Sequence, residues 1–495
     1  MSLVHLVERL EQCKARFGTR DALRVLPLLQ QLAGRRFRDA APLARFHEAV
    51  LFVRAFPASP EILEAAERIL SDFGRRAAAV PDPAPLEVPE VSGMAGTGLA
   101  TTFGYEVARH LVRRHGRAVS IDWDAYEHPE RLGLVLPGLI PALRDEASVE
   151  PHVSYRTWLE AAGGLSWLLA RIGAPEQYDA LELPLRWELG DSPATRTRMR
   201  LPVRRVFYHR DPPIQRREVS LAGVAAAERL PARRLSTAGG ERMIGLARDT
   251  SAVRYRELHG FTYGDARRVY QIDAGRGVQI FLWGLRPEHR LPLRAYHAAL
   301  IWKNGVPIGY FEGLSLFERM EVGFNLYYTF REGETAWLYA RLLAILHQRL
   351  GVTCIGVDPY QIGHDNEEAI HSGAFWFYRK LGFRSVDPAL RALTAREERR
   401  IAGRPGYRTP PAVLRRLVQR PLVYELPGSE PGAWDRFSLH PVALALARGR
   451  APTVARGLAR LGRFKRGPEE AAYLWRMRRD RRLRAEVLRL GSRPS

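Results

Sequence analysis

Cysteine is almost missing from this chain of 495 residues: only Cys13 and Cys354 are present. That scarcity excludes a disulfide framework and a Cys-based zinc site, and both thiols are expected to be plain buried side chains. Lysine is nearly as rare, since of the 76 basic residues only Lys14, Lys303, Lys380 and Lys465 are lysines and the rest are arginine. No stretch approaches the ~20 apolar residues of a membrane span, and the first ten residues, which include Glu8 and Arg9, hold no apolar run of a signal sequence. The expectation is a cytoplasmic protein with no membrane span. Acidic residues are also short, 54 against 76 basic, for a formal net charge of +22. The shortage is local: residues 391–495 hold 25 basic and 9 acidic side chains, a net of +16. An arginine bias alone carries no function.

What is present is a hydrophobic fraction of 46%, enough for a large core. At ~150 residues per domain, the length predicts two or three domains. Leu3 to Leu32 and Arg45 to Arg76 carry apolar residues at helical spacing, with Pro57 and Pro60 separating two helices. Pro81, Pro83, Pro85 and Pro89 fall within ten residues, which neither a helix nor a central strand tolerates. The chain is therefore divided into a helical region (1–79), a proline-rich linker (80–91), an α/β region of no assigned role (92–240), a strand-rich domain (241–426) and a basic, mostly helical tail (427–495). In the third of these, Ser92 to Gly98 is glycine-rich and precedes a helical run from Tyr105 to His115 and a strand-like Ala118 to Asp122. A glycine loop that opens a helix can cradle phosphate. The proline-rich segment before it leaves no room for the strand of a dinucleotide-binding fingerprint, so a glycine-rich turn is the reading. Tyr155 to Ile172 reads as helix and Arg204 to His209 as a strand.

From Gly277 onward the pattern turns to strands: Val278–Trp283, Tyr296–Trp302, Val306–Phe317 and Met320–Phe330, with Lys303-Asn304-Gly305 as a tight hairpin turn. A helix over 335–350 follows, then a strand over 353–358, a helix over 373–381, a strand near 384–386 and a last one over 422–426. Asp358, His364, Asp365 and His371 match no metal-ligand spacing, and no metal is expected.

This order resembles the GNAT family of acyl-CoA N-acyltransferases, and so does Ala374-Phe-Trp-Phe-Tyr378-Arg-Lys-Leu-Gly-Phe383, which is similar to that family's fourth-helix signature. The resemblance covers about 150 residues, ~278 to ~426. It implies an α/β fold with a mixed sheet and flanking helices. It also implies acetyl-CoA or another acyl-CoA in a gap between the fourth and fifth strands, its pyrophosphate on backbone N–H groups at the start of the third helix. The family's loop pattern, Arg or Gln, two residues, Gly, one residue, Gly or Ala, is met here by Arg331 and Ala336. Glu334 stands where the glycine belongs, and Gly333 comes one place early. A carboxylate beside a pyrophosphate repels it, so either the loop is shifted by one residue or CoA binding is weakened or lost. The cofactor set implied is Arg331, Gly333, Glu334, Thr335, Ala336 and Ala374.

Tyr378 occupies the place of the tyrosine that protonates the departing thiolate in the family, with packing against the sheet as its alternative role. The family's asparagine seven residues earlier is His371 here. Glu321, on the fourth strand, is the candidate general base for an amine acceptor, or else a solvated strand residue. Three function classes stay open: acyl-CoA-dependent N-acyltransferase, Fem-like transferase using aminoacyl-tRNA, and non-catalytic GNAT-like binding module. The tail from Arg448 to Arg493, with 15 basic residues against 4 acidic, is expected to form helices that meet nucleic acid or an acidic protein, with Leu483, Val487, Leu488 and Leu490 docking it on the body.

Overall fold

The computed structural model describes residues 2–149, 153–427 and 429–492. The chain is mixed α/β, with a large mixed sheet and many helices. Two compact units divide it: the first holds 1–212, 241–262 and 303–307, the second 213–240, 263–302 and 308–495. The stretch 80–91 is not a linker between domains. It lies inside the first unit, where Leu86 is fully buried and Glu87 accepts from Gly98 N (2.7 Å) and pairs with Arg186 (2.9 Å).

In the first unit the expected N-terminal helices are Leu3–Cys13, Val25–Ala33, Ala40–Ala55, Pro60–Ser71 and Phe73–Ala78. Pro60 sits at the first position of its helix, where its missing N–H costs nothing, and Ser59 caps it by accepting from Ile62 N. Helix Ala40–Ala55 is buried on most of its circumference, and its Arg54 guanidinium donates from its two terminal nitrogens to Thr197 O and Met199 O, both at 2.7 Å. A small antiparallel sheet follows, with β1 (Gly98–Thr102), β2 (Val119–Ile121) and β3 (Pro184–Glu188) in the order β1-β3-β2. The glycine-rich turn before β1 serves packing. A Cβ on Gly96 would stand 2.3 Å from Gly74 O, and one on Gly93 2.8 Å from Val253 O.

Two expectations in this unit are corrected. The helical run from Tyr155 is broken into Tyr155–Ala162 and Gly164–Arg171 by Gly163 at φ 119°. Arg204 to His209 is no strand, because a side chain takes over its backbone pairing: Asn304 Oδ1 accepts from Phe207 N (2.8 Å) and Asn304 Nδ2 donates to Phe207 O (3.0 Å). Asn304 (φ 48°) and Gly305 (φ 78°) form the expected two-residue hairpin turn, both left-handed.

The second unit is built on a nine-stranded sheet. Its strands are β4 (Ala232–Arg234), β5 (Tyr270–Gly275), β6 (Val278–Gly284), β7 (Ala295–Lys303), β8 (Val306–Leu316), β9 (Arg319–Leu326), β10 (Cys354–Val357), β11 (Arg384–Ser385) and β12 (Leu422–Glu425). The order is β11-β12-β10-β9-β8-β7-β6-β5-β4. β10 runs parallel to β9, and β12 is inserted antiparallel between β10 and β11. The parallel step requires a crossover, which helix Thr335–Leu350 supplies; Gly351 (φ 61°) ends it. The fourth expected strand is shorter than its pattern, stopping at Leu326 before a single turn at Tyr328–Phe330. β4 and β5 extend the sheet beyond the meander read from sequence.

The tail forms helices Leu439–Ala447, Pro452–Lys465, Glu470–Arg479 and Arg481–Gly491. Leu483, Val487 and Leu490 are buried as expected, and Leu488 is half-buried; Arg493 lies outside the described residues. Polar ties hold it as well. Arg484 pairs with Glu318 (2.7 Å), which also accepts from Trp434 Nε1 (3.0 Å), and Arg478 donates to Phe317 O (2.8 Å). No described helix is long and apolar enough to cross a membrane.

Each unit also buries a carboxylate. Glu470, nearly inaccessible, accepts from Leu285 N and Tyr296 N (both 3.1 Å) near Lys465 and Arg290, so it anchors the tail to β6 and β7. Burial pushes the Lys465 ammonium down to about 8. In the first unit Asp249 is fully buried against His110 (2.8 Å), His115 (3.2 Å) and Arg114 (2.6 Å). Burial raises the Asp249 carboxyl, but the hydrogen bonds from the two histidines and the Arg114 charge outweigh it and hold the group down to about 2. A folded value below the unfolded one means stability present above pH ~4 and lost as the pH falls toward 2. Asp249→Asn should therefore cost about 2–3 kcal/mol at neutral pH and remove this portion of the acid limb. Equilibrium denaturation between pH 2 and 6 checks it; an unchanged acid limb would place the acid sensitivity elsewhere.

Candidate functional site

The parallel pairing of β9 with β10 lasts only from Arg319↔Cys354 to Glu321↔Gly356, whereas β9 continues to Leu326. β10 ends one residue later, at Val357, so β9 has no ladder partner on this edge beyond Glu321. The far edge of β9 is still held by β8, down to Leu326↔Gly309, where a Cβ on Gly309 would stand 2.4 Å from Asn325 O. The β9 strand presents alternating faces. Met320, Val322, Phe324 and Leu326 are buried, while Glu321, Gly323 and Asn325 are half-buried on the other face.

An aromatic cluster fills the buried face. Tyr339, from helix Thr335–Leu350, packs on Phe324 (ring centroids 5.2 Å), Tyr378 (5.7 Å) and Phe383 (6.2 Å). Tyr378, from helix Ala374–Lys380, is 4% exposed, and burial alone pushes its phenol well above the usual range. It is packed among aromatic rings, as the packing alternative expected. Tyr339 was not singled out from sequence. Its hydroxyl is buried without a hydrogen-bond partner, which marks it among the neighbouring aromatics.

The start of helix Thr335–Leu350 holds most of the candidate cofactor residues. The first-turn N–H groups of Ala336 and Trp337 have no acceptor inside the helix. Glu334, the N-cap residue, makes no cap hydrogen bond to them. Its carboxylate, only 5% exposed, instead takes a two-pronged ion pair from Arg276 (2.8 Å at Nε) and a hydrogen bond from Ile214 N (3.1 Å). The charge that opposes a pyrophosphate at this position is thus neutralised internally. The turn itself is tight: Gly333 N donates to Phe330 O (3.1 Å), Thr335 N to Gly333 O (2.9 Å) and Thr335 Oγ1 to Arg331 O (3.0 Å). Arg331 is exposed and pairs with Glu368 (2.7 Å). Ala336 is buried, and Ala374 is half-buried at the head of its helix.

On the opposite face, Glu321 is held by Arg294 (2.7 Å) and Arg319 (3.5 Å), with its side chain 44% exposed. It shares this face with Asn325 and with Gly323, whose missing Cβ leaves room for Gln361 at 2.7 Å. The Tyr296 hydroxyl donates to Glu312, the residue of β8 paired with Gly323. Glu321 and the Tyr339–Tyr378 cluster therefore belong to opposite faces of β9. Asn366 is a structural cap, accepting from Ala369 N (3.1 Å), and Asp358 likewise caps by accepting from Tyr360 N (2.8 Å). No family model, curated protein or solved structure matches this chain. The site is thus read from its own geometry.

Arg276 was missed from sequence although it carried a signal. It lies at φ 52° between Gly275 and Gly277, both left-handed, in a Gly-Arg-Gly turn that joins β5 to β6. A separate cavity of about 40 Å³ lies between β5–β7 and the tail, with His297, Tyr270, Arg349 and Glu470 in its wall. None of the candidate residues lines it. His297 is fully buried there, and desolvation holds its imidazole neutral, down to about 3.

The ion pair predicts an asymmetry. Arg276→Ala leaves a buried carboxylate uncompensated and should cost about 3–5 kcal/mol. Glu334→Gln keeps an acceptor for Ile214 N and leaves a half-exposed guanidinium free to reach water, so about 1–2 kcal/mol is expected. Urea denaturation of both variants measures the difference, and equal costs would mean the pair does not govern the helix start. Tyr339→Phe removes an unpartnered buried hydroxyl and should be neutral or stabilising by about 1 kcal/mol. A clear loss of stability would reveal a partner for that hydroxyl.

Proposed function

We propose that residues 278–426 form a GNAT-type N-acyltransferase domain that moves an acyl group from acetyl-CoA or another acyl-CoA directly to an amine. The observation that carries this reading is the stretch of β9 left without a ladder partner beyond Glu321, where β10 stops, beside a helix whose first-turn amides are not covered by its own N-cap. A pantetheine arm laid along this free edge would reach the thioester region between Glu321 and Tyr378, with the pyrophosphate at Thr335–Trp337. Pairing of Glu334 with Arg276 supports the reading, because it removes the repulsion that the Glu-for-Gly departure would impose. Arg331, Gly333 and Ala374 would complete the cofactor cradle.

In this scheme Glu321 takes a proton from the attacking amine through water, since Arg294 holds one carboxylate oxygen, Arg319 stands 3.5 Å from the other, and the half-exposed side chain still meets solvent. The amine nitrogen then attacks the thioester carbonyl, the tetrahedral intermediate collapses, and the thiolate leaves while the Tyr378 hydroxyl donates to its sulfur. A buried phenol is a weak acid, so its contribution is a hydrogen bond that strengthens as charge builds on sulfur. A second reading, a Fem-like transferase using aminoacyl-tRNA, is favoured by the exposed arginines of the tail.

A thermal-shift screen with acetyl-CoA, longer acyl-CoAs and bulk tRNA separates the two. An acyl-CoA at ~100 times its Kd should add about 2.7 kcal/mol of stability. Stabilisation by tRNA alone would turn the donor to aminoacyl-tRNA, and no response to any of them would leave a non-catalytic module. Once an acceptor is known, Tyr378→Phe should lower turnover about 10²- to 10⁴-fold with acyl-CoA affinity nearly unchanged. An unaltered rate would leave Tyr378 a packing residue.

A further inference from the structure

The tail arginines fall into two classes. Arg478 and Arg484 point inward to Phe317 O and Glu318, and Arg489 pairs with Glu486 on its own helix. Others face solvent in register. Helix Pro452–Lys465 buries Val454, Gly457 and Leu461 and exposes Arg456, Arg460 and Arg463 at i, i+4 and i+7, with Arg466 next in line. Successive arginines therefore stand about one turn apart, ~5.4 Å. Helix Glu470–Arg479 buries Tyr473, Leu474 and Met477 and exposes Trp475, Arg476 and Arg479 on one face.

These two faces make one surface. The Phe464 ring lies between guanidiniums from both helices, Arg463 at 4.8 Å and Arg476 at 4.9 Å. Arg460 bridges to Asp480 (2.6 Å), beyond which Arg481 and Arg482 are exposed. Among the described residues, Arg456, Arg463, Arg466, Arg476, Arg479, Arg481 and Arg482 have no carboxylate within ion-pair distance. Trp475 is 42% exposed, against an ordinary preference for burial.

We propose that this strip, Arg456 to Arg482 with the exposed Trp475, is a binding surface for single-stranded RNA. Guanidiniums repeated once per helical turn match a polymer with regularly spaced phosphates, each able to accept a forked pair of hydrogen bonds. Trp475, 42% exposed with Arg478 over its ring at 5.0 Å, offers among them an aromatic surface on which a base stacks regardless of sequence. The strip stands apart from the acyl-CoA site, so the two readings fail separately: loss of RNA binding leaves the acyl-CoA titration untouched, and the reverse also holds.

The test is fluorescence anisotropy of the full chain with a fluorescein-labelled oligouridine of about 20 nucleotides, at ~50 and ~200 mM salt. Binding at low salt should weaken at least tenfold at the higher salt. Trp475→Ala should lower affinity about 5- to 150-fold with the salt slope unchanged, as loss of one stacking partner predicts. The triple variant Arg463→Ala/Arg476→Ala/Arg479→Ala should reduce the slope by about 2, at ~0.7 per phosphate contact. These side chains face solvent, so wild-type melting is expected; if the triple variant fails to fold, Trp475→Ala and the salt slope still decide. No binding at low salt, or binding that neither variant weakens, would overturn the proposal. Equal affinity for poly-glutamate of the same length would overturn it in favour of an acidic protein partner.

Discussion

A carboxylate buried at the head of a helix needs a cation, and the position of the second unit's crossover helix follows from how that need is met. Glu334 comes from the loop after β9, Arg276 from the turn between β5 and β6, and Ile214 from a segment that precedes β4. One ion pair therefore ties together three stretches far apart in the chain. With Glu334 fixed, helix Thr335–Leu350 begins at Thr335, and Tyr339 falls one turn later against Phe324 of β9. Tyr378 then packs edge-on against Tyr339. The uncovered amides and the phenol cluster both descend from the same anchored point.

The tail depends on a second charge of the same kind. Glu470 accepts from Leu285 N, just past the end of β6, and from Tyr296 N of β7, and it holds Lys465 and Arg290 close by. Removing such a carboxylate orphans donors as well as cations, which is why a strongly basic segment can belong to the folded body. Once Glu470 and the pair Arg484–Glu318 have docked the helices, the remaining arginines have no inward place and are sorted to the outer face. Their alignment is then a consequence of helical periodicity acting on a docked element.

Periodicity and turn chemistry were legible from residue types alone. The alternating patterns of β6 to β9, the Asn304-Gly305 turn, the helix over 335–350 and the apolar seam of Leu483, Val487 and Leu490 all rest on interactions within a few residues, so local pattern determined them. β5 escaped notice because Tyr270 and Gln271 blur its alternation, and its turn partner Arg276 looks like any other arginine in an arginine-rich chain. Arg204 to His209 has the composition of a strand yet is none, since the Asn304 side chain satisfies its backbone from nearly a hundred residues away.

The candidate site divides along the same line. The run from Ala374 to Phe383 and the departure at Glu334 were visible as letters, because a motif is a statement about neighbours in sequence. Whether Glu334 opposes an anion or is silenced was decided by Arg276, 58 residues earlier. Likewise Glu321 and Tyr378 could be named from strand and helix positions, but their separation onto opposite faces of β9 depends on which side of the sheet each helix packs. Sequence by itself determined the strands from β6 to β9, the helix that follows them and the charge of the tail. Tertiary structure decided which charges cancel, which face outward and where the strand ladders end, because electrostatic pairing and burial act through space between residues whose separation along the chain carries no signal.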